Sequence, residues 1–240
     1  MKTYNLPVKC AAILFDMDST LYSHPEYARS QIDLPIERLA NMRGISFSRM
    51  NEEITRYRAN WAKEHNGQGV SLGNIFKAFG ISINESVKWR EELYSPEQYL
   101  SRDMLLRRAL EQLNSEFTLG VVTNNPVSIA GRTLYALGVD DLFNTVIGLD
   151  TCGVSKPHRE PFLRAAALCG ASPGGCVSVG DRYDIDIALP LELGMGGILV
   201  DGVEDVYRLP ELFIKSASEN PDQVFGRSLY GYGVLCQGVS

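Results

Sequence analysis

Five short apolar runs punctuate the chain, and each is nearly continuous in Val, Ile and Leu. They are Ala11 to Phe15, Thr118 to Thr123, Asn144 to Leu149, Cys176 to Gly180 and Gly196 to Val200. A strand with one wet face alternates apolar and polar residues; an unbroken run suits a parallel strand buried on both faces. Helical patterns lie between the runs: Leu105 to Leu113, Ser128 to Gly138, Arg159 to Gly170 and Asp184 to Gly194. Gly138 and Gly170 are helix stops, and Pro190 interrupts or ends the last pattern. Strand and helix in alternation give an α/β fold with an open, doubly wound parallel sheet.

One gap breaks the alternation. About a hundred residues separate the first run from the second, far more than one crossover helix requires. Pro25 to Met42, Phe47 to His65 and Asn84 to Tyr94 read as helices there, the first against the presence of Pro35. Gly67, Gly69, Gly73 and Gly80 punctuate the remainder. The division expected is a core of residues 1–21 and 97–240 with an inserted helical subdomain at 22–96. The glycine-rich tail from Ser228 adds an edge strand or drapes over the core.

Composition narrows the function classes. A net charge of -6 and a pI near 5.2 argue against nucleic-acid binding, which needs a basic footprint. No stretch reaches the ~18 apolar residues of a membrane span, and the N-terminus lacks the apolar segment of a secretory signal. Cys10, Cys152, Cys169, Cys176 and Cys236 form no CxxC pair, so a reduced, cytoplasmic setting is expected. The three histidines have no metal-ligand spacing.

In an open α/β sheet, ligands bind beyond the carboxyl ends of the strands. Asp16, Asp18 and Thr20 follow the first run, and Thr123, Asn124 and Asn125 end the second. Ser155, Lys156 and Pro157 come after the third, and Gly180, Asp181, Asp184 and Asp186 after the fourth. Several carboxylates in one crevice need a cation, and all-oxygen ligands suit magnesium. A lysine and a hydroxyl suit a phosphate. Together they point to phosphoryl transfer, in which an aspartate can be the nucleophile.

These residues resemble the signatures of the haloacid dehalogenase superfamily. DxDxT reads Asp16-Met17-Asp18-Ser19-Thr20, the strand-end hydroxyl is Thr123, the lysine is Lys156, and GDxxxxD runs from Gly180-Asp181 to Asp186. All stand in the superfamily's order. The resemblance implies a Rossmann-like core, with the insert as a mobile cap. It implies Asp16 as nucleophile and Asp18 as general acid and then base. Thr123, Asn124 and Lys156 would bind phosphate. Asp16, Asp18 (through its main-chain carbonyl) and Asp181 would bind Mg2+, with Asp186 in support. Members that cleave carbon–halogen bonds lack an acid at the Asp18 position, so a phosphatase of a small phosphorylated metabolite is implied.

The passage from Asp18 to Tyr27 looks like the pyrimidine 5′-nucleotidase branch, which suggests a nucleoside monophosphate. Ser19 replaces that branch's commoner asparagine. A sugar-phosphate mutase, a phosphoserine phosphatase and a non-catalytic phospho-ligand-binding regulator stay open, as do monomer and dimer. Asp184 caps a helix or binds metal, and Arg182 contacts a partner or is solvated. His24 is a hinge or surface residue or touches substrate, and His158 starts a helix. Trp61 and Trp89 belong to the core of the insert. Tyr22, Tyr27, Arg29, Arg56 and Arg58 line the cleft or face solvent.

Overall fold

The computed structural model describes residues 1–219 and 224–225. Along the chain, β1 (Lys2–Tyr4), β2 (Lys9–Cys10) and β3 (Ala12–Phe15) are followed by four helices: α1 (Pro25–Met42), α2 (Phe47–Glu64), α3 (Leu72–Ala78) and α4 (Ile83–Leu93). Then come α5 (Met104–Glu116), β4 (Thr118–Val122), α6 (Val127–Leu137), β5 (Thr145–Ile147), α7 (Leu149–Cys152) and α8 (Arg159–Leu168). The described chain closes with β6 (Cys176–Gly180), α9 (Ala188–Glu192), β7 (Gly196–Leu199), α10 (Val203–Val206), α11 (Leu209–Glu219) and β8 (Val224–Phe225).

Six strands form one sheet in the order β1-β7-β6-β3-β4-β5. Every pairing is parallel except that of β1, which runs antiparallel to β7 at the edge. The chain leaves β3 for β4 on one side and returns to β6 on the other, so the strand order reverses at β3. That reversal opens the crevice in which such sheets hold ligands.

The unbroken apolar runs are explained by a core on each face. Side chains alternate along a strand. On β3, Ile13 and Phe15 join a cluster with Leu106, Leu110 and Leu113 of α5 and Ala130 and Leu134 of α6. Ala12 and Leu14 point the other way, into a cluster with Phe162, Ala165 and Ala166 of α8. Leu119 and Val121 of β4 share the first face, and Val122 the second. Both faces are dry, so the strands are mostly apolar, and a buried polar residue such as Ser178 has its hydroxyl bonded.

The four helices between β3 and α5 have an apolar cluster of their own, which includes Ile36, Leu39, Met50, Ile54, Ile75, Phe76 and Trp89. Each of the last three starts at a serine, Ser46, Ser71 or Ser82, whose hydroxyl accepts an amide hydrogen of the first turn. Sequence periodicity overlooks α3 because it is only two turns long. Trp89 is buried, while Trp61 lies at the margin, stacked on His65 with centroids 3.7 Å apart.

Two prolines sit inside helices. Pro35 does not break α1. It has no N–H to give the Gln31 carbonyl, the normal partner four residues back. The Tyr94 hydroxyl donates to that carbonyl instead, at 2.6 Å. Pro190 stands in the first turn of α9, where its missing N–H costs no helical bond. A single π-type turn, Tyr183–Ile187, precedes it and replaces the regular helix the sequence suggests. The third apolar run is strand only over Thr145–Ile147, because Leu149 already begins α7. The tail from Ser228, with Cys236, lies outside the described residues.

Candidate active site

Asp16 follows the last residue of β3, and its amide donates to the Val179 carbonyl of β6 at 2.8 Å. The chain then turns sharply. Ser19 takes a left-handed conformation, φ 61°, and the Leu21 amide returns to the Met17 carbonyl at 2.9 Å. Asparagine adopts that conformation more readily than serine, so the position favours the residue this chain lacks. The turn sets Asp16 and Asp18 apart and gives them different surroundings.

Lys156 Nζ lies 2.6 Å from Asp16 Oδ1 and 2.6 Å from Asp186 Oδ1. All three side chains are buried. Burial works to lower the lysine's pKa, but the two carboxylates outweigh it and hold the ammonium charged. Asn124 aims this lysine: its Oδ1 accepts the Lys156 amide at 2.7 Å, and its Nδ2 donates to the Lys156 carbonyl at 3.3 Å. Gly180 lets Asp186 approach, since a Cβ there would stand 2.4 Å from that of Asp186. Asp186 is fixed further by the Arg182 amide on its Oδ2, at 3.2 Å, and by Ser178, which donates to its main-chain carbonyl at 2.7 Å.

Asp181 completes an acidic group. One oxygen each from Asp16, Asp181 and Asp186 lies within 4.8 Å of the others. Burial first, then the charges of Asp16 and Asp186, push the Asp181 carboxyl up to about 7. Asp186 is likewise raised, by burial against the opposing pull of Lys156. Lys156 and the nearby Arg182 set two positive charges against these three carboxylates, which leaves an excess of negative charge. The donor set is all oxygen and closely spaced, which fits a small, hard divalent cation such as magnesium.

Asp18 faces elsewhere. The Tyr22 hydroxyl donates to its Oδ1, as does Gln31 Nε2 at 3.0 Å. Asn125 Nδ2 donates to its Oδ2 at 2.9 Å and also reaches Gln31 Oε1 at 3.2 Å. Burial and the nearby Asp16 charge raise its pKa despite these donors. The two aspartates of DxDxT are thus held by separate machinery, Asp16 by a lysine and Asp18 by a neutral network reaching from α1. Thr123 is buried, and its hydroxyl accepts the Asn125 amide at 3.1 Å.

Asp16, Asp18, Asn124 and Asp181 open on a cavity of about 250 Å³. Gln31 and Ile32 of α1, Ser71 and Gly73 near α3, and Arg90 of α4 line its other side. The helical segment therefore stands over the strand ends, and Asp184 ties it down by accepting the Gly69 amide at 2.9 Å. Asp184 is thus neither a helix cap nor one of the acidic group. His24 and His158 cap α1 and α8 through their ring nitrogens. Tyr22 reaches the site, whereas Tyr27 stacks on Tyr99 in the core, and Arg29, Arg56 and Arg58 do not line the cavity. Arg182 does line it. Sequence reasoning missed Gln31 and Arg90, and no motif marks either.

The family comparison agrees with this geometry. Residues 10–193 match the family model described as haloacid dehalogenase-like hydrolase. The chain belongs to that family. Among curated relatives of this haloacid dehalogenase-like hydrolase, a phosphoglycolate phosphatase of Salmonella typhimurium is 28% identical over 191 residues, covering 73% of this chain and 76% of its own. A glyceraldehyde 3-phosphate phosphatase of Methanopyrus kandleri is 27% identical over 192 residues, covering 77% and 81%. A solved structure of a HAD phosphatase from Thermococcus onnurineus superposes with a TM-score of 0.59 at 22% identity, over 84% of this chain and 97% of that one. At that identity the superposition speaks for the fold alone.

Proposed function

We propose that this hydrolase is a magnesium-dependent phosphatase of a small phosphomonoester, working through an aspartyl phosphate on Asp16. The observation that carries the reading is the pairing of a buried, lysine-held Asp16 with a separately held Asp18 on one small cavity. A carboxylate oxygen of Asp16 attacks phosphorus as the bond to the leaving oxygen breaks. Asp18 gives that oxygen a proton. In the second half, Asp18 takes a proton from the attacking water, and the Asp16–phosphorus bond breaks to release phosphate. Lys156, Thr123 and Asn124 hold the phosphoryl oxygens, and Lys156 neutralises charge that develops in the transition state. Asp16, Asp181 and the Asp18 main-chain carbonyl, with Asp186 behind them, would hold magnesium, which supplies positive charge to the same oxygens.

Residues 22–96 act as the cap in this reading, excluding water once the substrate is seated. The cavity is smaller than the ~300–1,000 Å³ of pockets built for drug-sized ligands. That favours a compact ester of the kind the two curated relatives are named for. A nucleoside monophosphate needs the cap to stand further open. The setting we propose is cytoplasmic, in keeping with Cys10, Cys152, Cys169 and Cys176 as free thiols. No described helix is long and apolar enough to cross a membrane.

The test is phosphate release from a panel of nucleoside monophosphates, sugar phosphates, phosphoglycolate, phosphoserine and an aryl phosphate, with and without magnesium. The expected result is magnesium-dependent release by the wild type and none by Asp16→Asn. Wild-type rates in that variant would remove Asp16 from its role, and binding without turnover would favour a regulator.

A further inference from the structure

Arg90 is only 4% exposed, yet among the described residues no carboxylate pairs with it. The contrast with the surface is plain. Arg38, Arg107 and Arg132 are far more exposed, and each has an acidic partner. A guanidinium carries five N–H donors, and burying its charge unpaired is costly. Here Nη1 donates to Ser86 Oγ at 2.8 Å, and Nε has no hydrogen-bond partner. The same residue lines the cavity that holds Asp16 and Asp18.

Its neighbours add polar contacts but no negative charge. Gly73 of α3 packs beside it, where a Cβ would come within 2.8 Å of Ser155 Oγ and 3.8 Å of Arg90 Nη2. The Tyr94 hydroxyl donates to the Gln31 carbonyl and also meets the Arg90 side chain in a hydrogen bond, a second neutral partner for the guanidinium. Asp18 has its own donors in Tyr22, Gln31 and Asn125. Across the cavity the strand ends supply the lysine and acidic group, and the α4 side supplies a cation whose hydrogen-bond partners are neutral.

We propose that Arg90 binds a carboxylate on the non-phosphate end of the substrate, so that the preferred substrate is a short phosphorylated carboxylic acid. The planar guanidinium matches a carboxylate through two parallel hydrogen bonds. The small cavity limits the spacer between the two anionic ends to a short chain. This inference rests on the phosphatase reading and adds the substrate class to it.

The experiment compares kcat/KM for phosphoglycolate with that for hydroxyethyl phosphate, which carries a hydroxymethyl group in place of the carboxylate. The wild type should favour phosphoglycolate by at least about ten-fold, and Arg90→Met should bring the ratio to about one, chiefly through KM. A wild type without the preference, or an Arg90→Met enzyme that keeps it, overturns the proposal. Should Arg90→Met fail to fold, Arg90→Gln, which keeps a donor for Ser86, is read in its place. A wild type that hydrolyses no ester at all contradicts the phosphatase reading instead. Calorimetric titration with the same two esters then decides for Arg90, since tighter binding of phosphoglycolate supports it and equal binding overturns it.

Discussion

Lys156 stands between two buried carboxylates, 2.6 Å from each. Removing it leaves Asp16 and Asp186 facing one another with only the more distant Arg182 charge to compensate. Lys156→Met should therefore destabilise the fold by about 3–5 kcal/mol in urea unfolding at mildly alkaline pH, where the carboxylates stay ionised. Unchanged stability would mean that the pairing is not what holds these groups. Gln31 acts on Asp18 by holding one carboxylate oxygen. Gln31→Leu should lower kcat by about ten- to a hundred-fold with little change in KM, because the acid is misplaced while the phosphate grip is intact. Equal loss in KM would make it a substrate ligand. Asp16, Asp18, Thr123 and Asp181 were legible as neighbours because they stand just past strand ends, and Lys156 and Asp186, which come after α7 and within the π-type turn, through the order of the motifs. Gln31 and Arg90 were not, since a polar residue on a helix face looks the same whether it meets water or a cavity.

At the scale of elements, the join between α1 and α4 turns on one hydrogen bond. Pro35 leaves the Gln31 carbonyl without a helical donor, and Tyr94 supplies one from α4. Tyr94→Phe should cost about 1–3 kcal/mol, the penalty of a buried carbonyl left unpaired. In a Pro35→Ala background the same substitution should cost less, because residue 35 regains an N–H to offer. A double-mutant cycle by urea unfolding measures the difference, and strict additivity would contradict the account. Pro35 is a discouraging sign for a helix when read alone. The compensating tyrosine is 63 positions from Gln31, beyond the reach of any local pattern. The edge strand β1 escaped notice for a related reason: its residues are exposed or half-exposed, and pairing with β7 defines it, not an apolar run.

For the whole molecule, the doubly wound sheet was readable because a core on each face keeps the central strands mostly apolar, which leaves a strong signal. The cavity was not, as it depends on how the helical segment sits over the strand ends. The acidic group makes a further claim at this scale. Lys156 offsets only part of the mutual repulsion of Asp16, Asp181 and Asp186, which leaves a place for a further cation. Magnesium at a hundred times its Kd should stabilise the protein by about 2.7 kcal/mol, seen as a raised Tm, and Asp181→Asn should lose most of that shift. An identical shift in the variant would place the ion elsewhere. The central claim, that phosphate passes through Asp16, is tested most directly by trapping it. The wild type is mixed with its best substrate and magnesium, quenched in acid within milliseconds, and its peptides are weighed. The account predicts that the peptide containing Asp16 gains one phosphoryl group, which disappears as substrate is exhausted. Rapid turnover with that peptide unmodified at every time point would contradict it and assign the attack to water.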